Sequence, residues 1–366
     1  MKSSTASRLG DPQPAFFDGI SNPFWNDYPA VERDLARVAQ VVRDSVQSAS
    51  PRLRDALSEL VSRRGKMLRP AFVVLAARLR RSGSRGLFRS GGRAFGPTRE
   101  LPDKIYRMAA AVEILHLATL VHDDIMDHAP ERRGRPTVHL VWDESTAILA
   151  GDLLMGMAYD LLARTPTDRL AEMVRVFHRM VQRLCEGQAL DEQFEAEDDV
   201  TVERYLDMID RKTGALLEAV LVLGGLVGGA DDEARGHLAE AGHAFGRAFQ
   251  IQDDLLDLTA ADDGWGKTIG GDLMEGKKTF LLLRALERAD GDDRAWFRRI
   301  VTDGGLDAGE IGEARRRMDA LGVLGEARRE VLRHYDIGER ALRHLPEGSG
   351  RDGLLWIAGR MAQRVR

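Results

Sequence analysis

Apolar positions recur along most of this chain at the three- and four-residue spacing of amphipathic helices, with almost no strict alternation. Val31, Leu35, Val38, Val41 and Val42 form one such stripe and predict a helix from Val31. A second helix follows Pro51, whose fixed φ suits a first turn. A third is predicted from about Met67 to Arg80. Further helices are predicted over 103–127, 143–164, 167–193, 201–228, 231–258 and 277–289, with shorter ones to 364. Their Ala, Leu, Met, Arg and Glu are good helix formers. Period-two strand runs and Asn-Gly hairpin turns are absent. The pattern predicts an all-α, single-domain bundle of many helices over 31–366, around a central apolar cavity or a dense core.

Two stretches break the helical period. Residues 1–30 are rich in Pro, Asn, Asp and aromatics and are expected to form a loose N-terminal arm. Residues 81–102 are rich in Gly, Ser and Arg. They read as a solvated loop rather than a domain boundary, because helical patterning resumes at Asp103. The most apolar stretch, 214–230, is interrupted by Glu218 and four internal glycines, Gly224, Gly225, Gly228 and Gly229. It falls short of the roughly 20 residues of a membrane span and predicts a buried core helix. The N-terminus has no continuous apolar segment of the secretory kind. A cytoplasmic protein without an integral membrane segment is therefore expected.

Composition narrows the function. Of 366 residues 43% are hydrophobic, enough for a sizeable core, and 53 basic residues stand against 58 acidic ones. A net charge of −5 does not suggest a nucleic-acid partner. An anionic substrate would need local cations or metal ions. The single cysteine, Cys185, excludes an internal disulfide and reads as a small core residue rather than a nucleophile.

Against this background two matching acidic clusters stand out. LVHDDIMD carries Asp123, Asp124 and Asp127, and FQIQDDLLD carries Asp253, Asp254 and Asp257. Residues i and i+4 differ by only about 40° around a helix axis, so Asp123 shares a face with Asp127, and Asp253 with Asp257. Three carboxylates within one turn repel one another. On apolar helices they make sense as oxygen ligands for hard divalent cations such as Mg²⁺. Two such clusters across a cavity would hold several ions around one diphosphate and absorb the charge that develops as a C–O bond breaks. Cations accompany them: Lys66 and Arg69 before a helix, Arg132 and Arg133 after the first cluster, and Lys212-Thr213, Lys267 and Lys277-Lys278 around the second. Arginine forks match phosphate oxygens. Singly, each of these reads as an ordinary surface charge.

With those residues in hand, the chain resembles the trans-isoprenyl diphosphate synthases, which make farnesyl, geranylgeranyl and longer polyprenyl diphosphates. Five motifs appear in that family's order between about Val31 and Arg288: GKxxR at Gly65–Arg69, the first aspartate cluster with RRGxP at Asp123–Pro136, KTG at Lys212–Gly214, FQxxDDxxD at Phe249–Asp257, and GKxxGxD…EGKxT over Gly266–Thr279. The resemblance implies an all-α isoprenoid-synthase fold and condensation of isopentenyl diphosphate with an allylic diphosphate. It also implies Mg²⁺, three ions per site, and a homodimer. By the same resemblance Lys66, Arg69, His116 and Arg133 hold the isopentenyl diphosphate. Arg132, Lys212, Thr213, Gln250, Lys267 and Lys277 grip the allylic diphosphate. Asp123, Asp127 and Asp253, with Asp124 and Asp257, hold Mg²⁺, and Asp254 and Lys212 join the catalytic set. The departing diphosphate takes the final proton.

Alternatives are a class I terpene cyclase, which would not need Lys66, Arg69 and His116, and a non-catalytic partner subunit, which would lack part of the motif set. Product length is read from the helix of the first cluster. Thr119 and Ala118, four and five residues before Asp123, are small where short-chain members commonly place aromatics, and Leu115 and Ala111 lie deeper. Each turn adds about 5.4 Å, roughly one isoprene unit, so a product of twenty carbons or more is expected.

Overall fold

The computed structural model describes residues 23–48, 50–62, 65–79, 101–260 and 269–363. Most of the expected 1–30 arm, the 81–100 part of the loop and Lys267 lie outside them. A 3₁₀ turn, Pro23–Trp25, leads into α1 (Pro29–Ser45), which starts two residues before Val31 because Pro29 takes its first turn. There follow α2 (Pro51–Ser62), α3 (Leu68–Ala77), α4 (Asp103–Met126), α5 (Val138–Val141), α6 (Glu144–Ala163), α7 (Leu170–Ala196) and α8 (Val202–Ile209). The chain continues through α9 (Ala215–Gly228), α10 (Asp232–Thr259), α11 (Gly271–Met274), α12 (Phe280–Arg288), α13 (Gly291–Thr302), α14 (Ile311–Ala320), α15 (Val323–Arg343) and α16 (Ser349–Ala362).

The helix α4 is apolar on every side, so it cannot sit at the surface. It is buried from Met108 to Ala118 and lies among α1, α3, α6 and α9. The helix α10 packs along α9 and α15 on the other half of the bundle. Close approach is paid for by small residues where helices cross. A Cβ at Gly242 would meet the Glu218 backbone at 2.5 Å, and one at Gly224 would meet the Val73 backbone at 2.6 Å. As expected, 214–230 forms a core helix, with most of α9 buried. Among the described residues only α6 is long and apolar enough to cross a membrane, and 44% of its apolar window is buried inside the bundle.

Three features depart from the sequence reading. The helix expected over 201–228 is broken by a π turn, Asp210–Gly214. A two-stranded antiparallel ribbon pairs Glu131 with Pro136 and Arg132 with Arg135. Its turn is Arg133-Gly134, both with positive φ (56° and 71°), the backbone of a tight hairpin made without Asn-Gly. Cys185 is exposed, not a core residue, because it falls on the outward side of α7.

Candidate active site

The first aspartate cluster closes α4, with Asp127 as its C-cap. A helix C-terminus carries partial negative charge, so three carboxylates there call for cations. Burial raises the Asp123 pKa to about 6, with Lys212 and Arg132 pulling it down and Asp127 and Asp124 pushing it up. Asp124 is buried and accepts from Arg132, Nε at 2.7 Å and Nη2 at 2.6 Å. The ribbon thus returns Arg132 onto the cluster that precedes it, and Arg135 ties the ribbon to Glu59 of α2 at 2.9 Å.

The second cluster occupies the last turns of α10. Asp254 accepts from Tyr205 Oη (2.5 Å), Phe280 N (3.1 Å) and Gln250 Nε2 (3.2 Å). Burial nevertheless raises its pKa to about 7 against those donors. Asp257 accepts from Asp272 N at 3.2 Å, and its carbonyl from Gly270 N at 2.7 Å. These bonds fasten the start of α11 to α10.

Two lysines join the clusters. Lys212, in the π turn, donates to Asp191 of α7 at 2.6 Å. Burial works against its ammonium, but Asp191, Asp123 and Asp127 outweigh it and raise its pKa. Lys277 pairs with Glu275 at 2.8 Å. Its pKa is also raised, burial being outweighed by Glu275, Asp127 and Asp272. Asp127, at the end of α4, therefore acts on both lysines. Thr213 donates to Gln250 at 3.0 Å, and Gln250 passes the link to Asp254.

A separate basic group gathers around His116. Arg69 Nη1 lies 2.8 Å from His116 Nε2. A guanidinium only donates, so Nε2 accepts and the ring is neutral. Burial, followed by Arg69, Arg133 and Arg132, holds the His116 pKa well below its usual range. Gly65 lies against Arg133, whose Nη2 a Cβ would meet at 2.6 Å. Glu113, one turn before His116, is buried and raised by that burial while Arg69 and Arg133 pull it down.

The structure thus brings together Asp123, Asp127, Lys212 and Lys277, and groups Arg69, His116 and Arg133. Ala118 and Leu115 are fully buried in α4, and the Thr119 hydroxyl donates to the His116 carbonyl at 2.9 Å. Sequence reading missed Asp191, Glu113 and Tyr205. A lone acid within the apolar run of α4 was a usable signal for Glu113. Nothing local marks Tyr205.

Comparison with known proteins decides the family. The polyprenyl synthetase family model matches residues 50–318. The chain belongs to the polyprenyl synthetase family. It is a trans-polyprenyl diphosphate synthase, a prenyltransferase that condenses isopentenyl diphosphate with an allylic prenyl diphosphate. A short chain isoprenyl diphosphate synthase of Methanothermobacter thermautotrophicus is 35% identical over 88% of this chain and 94% of its own. A decaprenyl diphosphate synthase from Rhodobacter capsulatus superposes with a TM-score of 0.80 at 32% identity, covering 92% of this chain and 98% of its own. A polyprenyl synthase from Caulobacter crescentus, complexed with calcium and isoprenyl diphosphate, gives 0.79 at 28% identity over 92% and 96%. Synthases of this family share the all-α architecture described above.

Proposed function

We propose that this synthase elongates its allylic primer to twenty carbons or more. In this reading Asp123, Asp127 and Asp253, with Asp124 and Asp257, hold the Mg²⁺ ions, three per site. The donor set fits: the hard carboxylate oxygens of Asp123 and Asp127 act on Lys212, and that of Asp127 on Lys277, while α10 carries the second carboxylate cluster. Among the described residues no three metal-binding side chains converge on one point. That suits Mg²⁺, which is commonly held through one or two carboxylates with water and substrate phosphate completing the shell. Bound there, Mg²⁺ neutralises the diphosphate as its bond to the allylic carbon breaks.

The protein's own cations do the rest. Lys212 and Lys277, both held protonated by their carboxylate neighbours, face the departing diphosphate, with Arg132, Thr213 and Gln250 beside them. Lys267 is assigned to the same group, although it lies outside the described residues. Lys66, Arg69, His116 and Arg133 hold the isopentenyl diphosphate. Neutral His116 presents Nδ1–H as its donor, because Nε2 is occupied by Arg69. The allylic C1–O bond breaks, the isopentenyl C4 bonds to C1, and a C2 proton passes to the released diphosphate. Apolar side chains around the cation keep out the water that would quench it.

The observation that carries this reading is the placement of Lys212 against Asp191, Asp123 and Asp127 at once. We further propose a cytoplasmic homodimer. Leu140, Val141, Ile148, Leu149 and Val174 are exposed on α5, α6 and α7, an apolar face suited to a second copy of this chain. Labelled isopentenyl diphosphate, an allylic primer and Mg²⁺, with products separated against prenyl alcohol standards, test the reaction. Incorporation into chains of twenty carbons or more is expected. A product made without isopentenyl diphosphate would point to a cyclase, and no turnover to a non-catalytic subunit.

A further inference from the structure

The loop that carries Lys66 and leads into Arg69, in the first turn of α3, is held from an unexpected direction. Met67, the residue before α3, has φ 53° and ψ 34°, a left-handed backbone that a side chain with a Cβ disfavours. Such a conformation persists only where neighbours over-determine it. The peptide group between Lys66 and Met67 has its carbonyl fixed by a hydrogen bond from Trp25 Nε1 at 2.9 Å, across 41 residues of sequence. Trp25 is 1% exposed. Its ring packs against Phe24 at 4.8 Å and Trp356 of α16 at 5.8 Å. The Tyr28 ring lies against Trp356 at 5.5 Å, tilted by 47°, and its hydroxyl donates to the Ser349 carbonyl at 3.2 Å. The fit is close: a Cβ at Gly353 would meet Leu75 of α3 at 2.4 Å and Tyr28 Oη at 2.9 Å.

Packing alone would be served by any large ring. The indole N–H is the polar feature of this aromatic cluster directed at the loop. On the loop's other side Gly65 rests on Arg133, and Arg69 reaches His116.

We propose that Trp25 is a positioning residue for the isopentenyl diphosphate site. It fixes the Lys66–Met67 peptide, and with it the directions in which Lys66 and Arg69 leave the backbone. The turn Pro23–Trp25 and α16 thereby act on a substrate loop to which neither is adjacent in sequence. The inference rests on the assignment of Lys66 and Arg69 to isopentenyl diphosphate.

The test is Trp25→Phe, which keeps an aromatic ring and removes the N–H. β-(3-Benzothienyl)alanine placed at position 25 keeps the ring shape as well. Loss of one hydrogen bond should raise the KM for isopentenyl diphosphate about three- to tenfold. The KM for the allylic substrate and kcat should stay within about twofold, a split that a general packing defect would not produce. Arg69→Ala serves as the control. A raised KM in Arg69→Ala beside an unchanged one in both position-25 variants overturns the positioning role alone. An unchanged KM in all three overturns the loop assignment too. An equal rise for both substrates reduces Trp25 to a packing residue and also overturns the proposal.

Discussion

Asp123 holds its proton up to about pH 6 because burial and two neighbouring carboxylates oppose its charge. The folded chain therefore binds a proton that the unfolded chain releases near 3.8. The stability contributed by this proton is present below pH 4, lost as the pH rises to about 6, and absent above. Without Mg²⁺, Asp123→Asn should melt higher than the native chain at pH 7, and the difference should shrink as the pH falls to 4. A melting-temperature difference constant across that range would contradict the raised pKa. The same variant, and Asp253→Ala, should lose turnover by orders of magnitude at saturating Mg²⁺. The two diphosphate sites separate at this scale as well. Arg69→Ala and His116→Ala should raise the KM for isopentenyl diphosphate, and Lys212→Ala that for the allylic substrate. Each removes a charge-assisted hydrogen bond of about 1.5–3 kcal/mol, a roughly ten- to hundredfold change. Equal effects on both substrates would rule out separate sites. Ala118→Phe should shift products towards fifteen carbons, and an active variant with native products would show that α4 does not set the length.

The π turn places Lys212 and Thr213. Single π turns inside helices recur at functional sites, since the extra residue re-aims side chains that a regular helix would point elsewhere. Here the turn is wedged between two glycines. A Cβ at Gly187 of α7 would lie 2.4 Å from Lys212 N, and one at Gly246 of α10 would lie 2.5 Å from Gly214 Cα. Both obstacles are backbone, so neither can swing aside. Asp210, its first residue, receives two bonds of 2.6 Å from Arg247, and its carbonyl receives one of 3.1 Å from Arg183. Gly187→Ala should displace the turn, with an overpacking cost of about 1–3 kcal/mol. The melting temperature should fall, and the allylic KM should rise more than that for isopentenyl diphosphate. Unchanged kinetics would mean that the turn tolerates movement. The sequence predicted one continuous helix through 201–228 because Asp210–Gly214, which holds no apolar residue, is too short to interrupt the apolar pattern running from Tyr205 to Val227. A one-residue expansion leaves little trace in that pattern.

At the scale of the whole molecule, α6 buries Ala147, Ala150, Leu154 and Ala158 against the bundle and leaves Ile148 and Leu149 outside. A helix apolar on both faces is complete only with something covering the second. If a second copy does so, Ile148→Asp with Leu149→Asp should convert a dimer to a monomer. Light scattering coupled to size-exclusion chromatography reads that change. A native chain that elutes as a monomer at micromolar concentration would refute the dimer.

Helical period and aspartate spacing were legible without coordinates, because both are local. Burial of one face repeats every three to four residues, and two DDxxD clusters need no tertiary contact to be seen. The cations assigned to the diphosphates were legible only through their order along the chain, which resembles a family pattern. What the tertiary structure alone decided are contacts between residues far apart in sequence. Asp191 reaches Lys212 from 21 residues away and Tyr205 reaches Asp254 from 49. Trp25 reaches the Lys66 carbonyl from 41. Each is a single hydrogen bond donated or accepted by a residue that no local motif marks. Its partner is set by how helices cross, and crossings depend on the summed packing of the core rather than on any local run of residues.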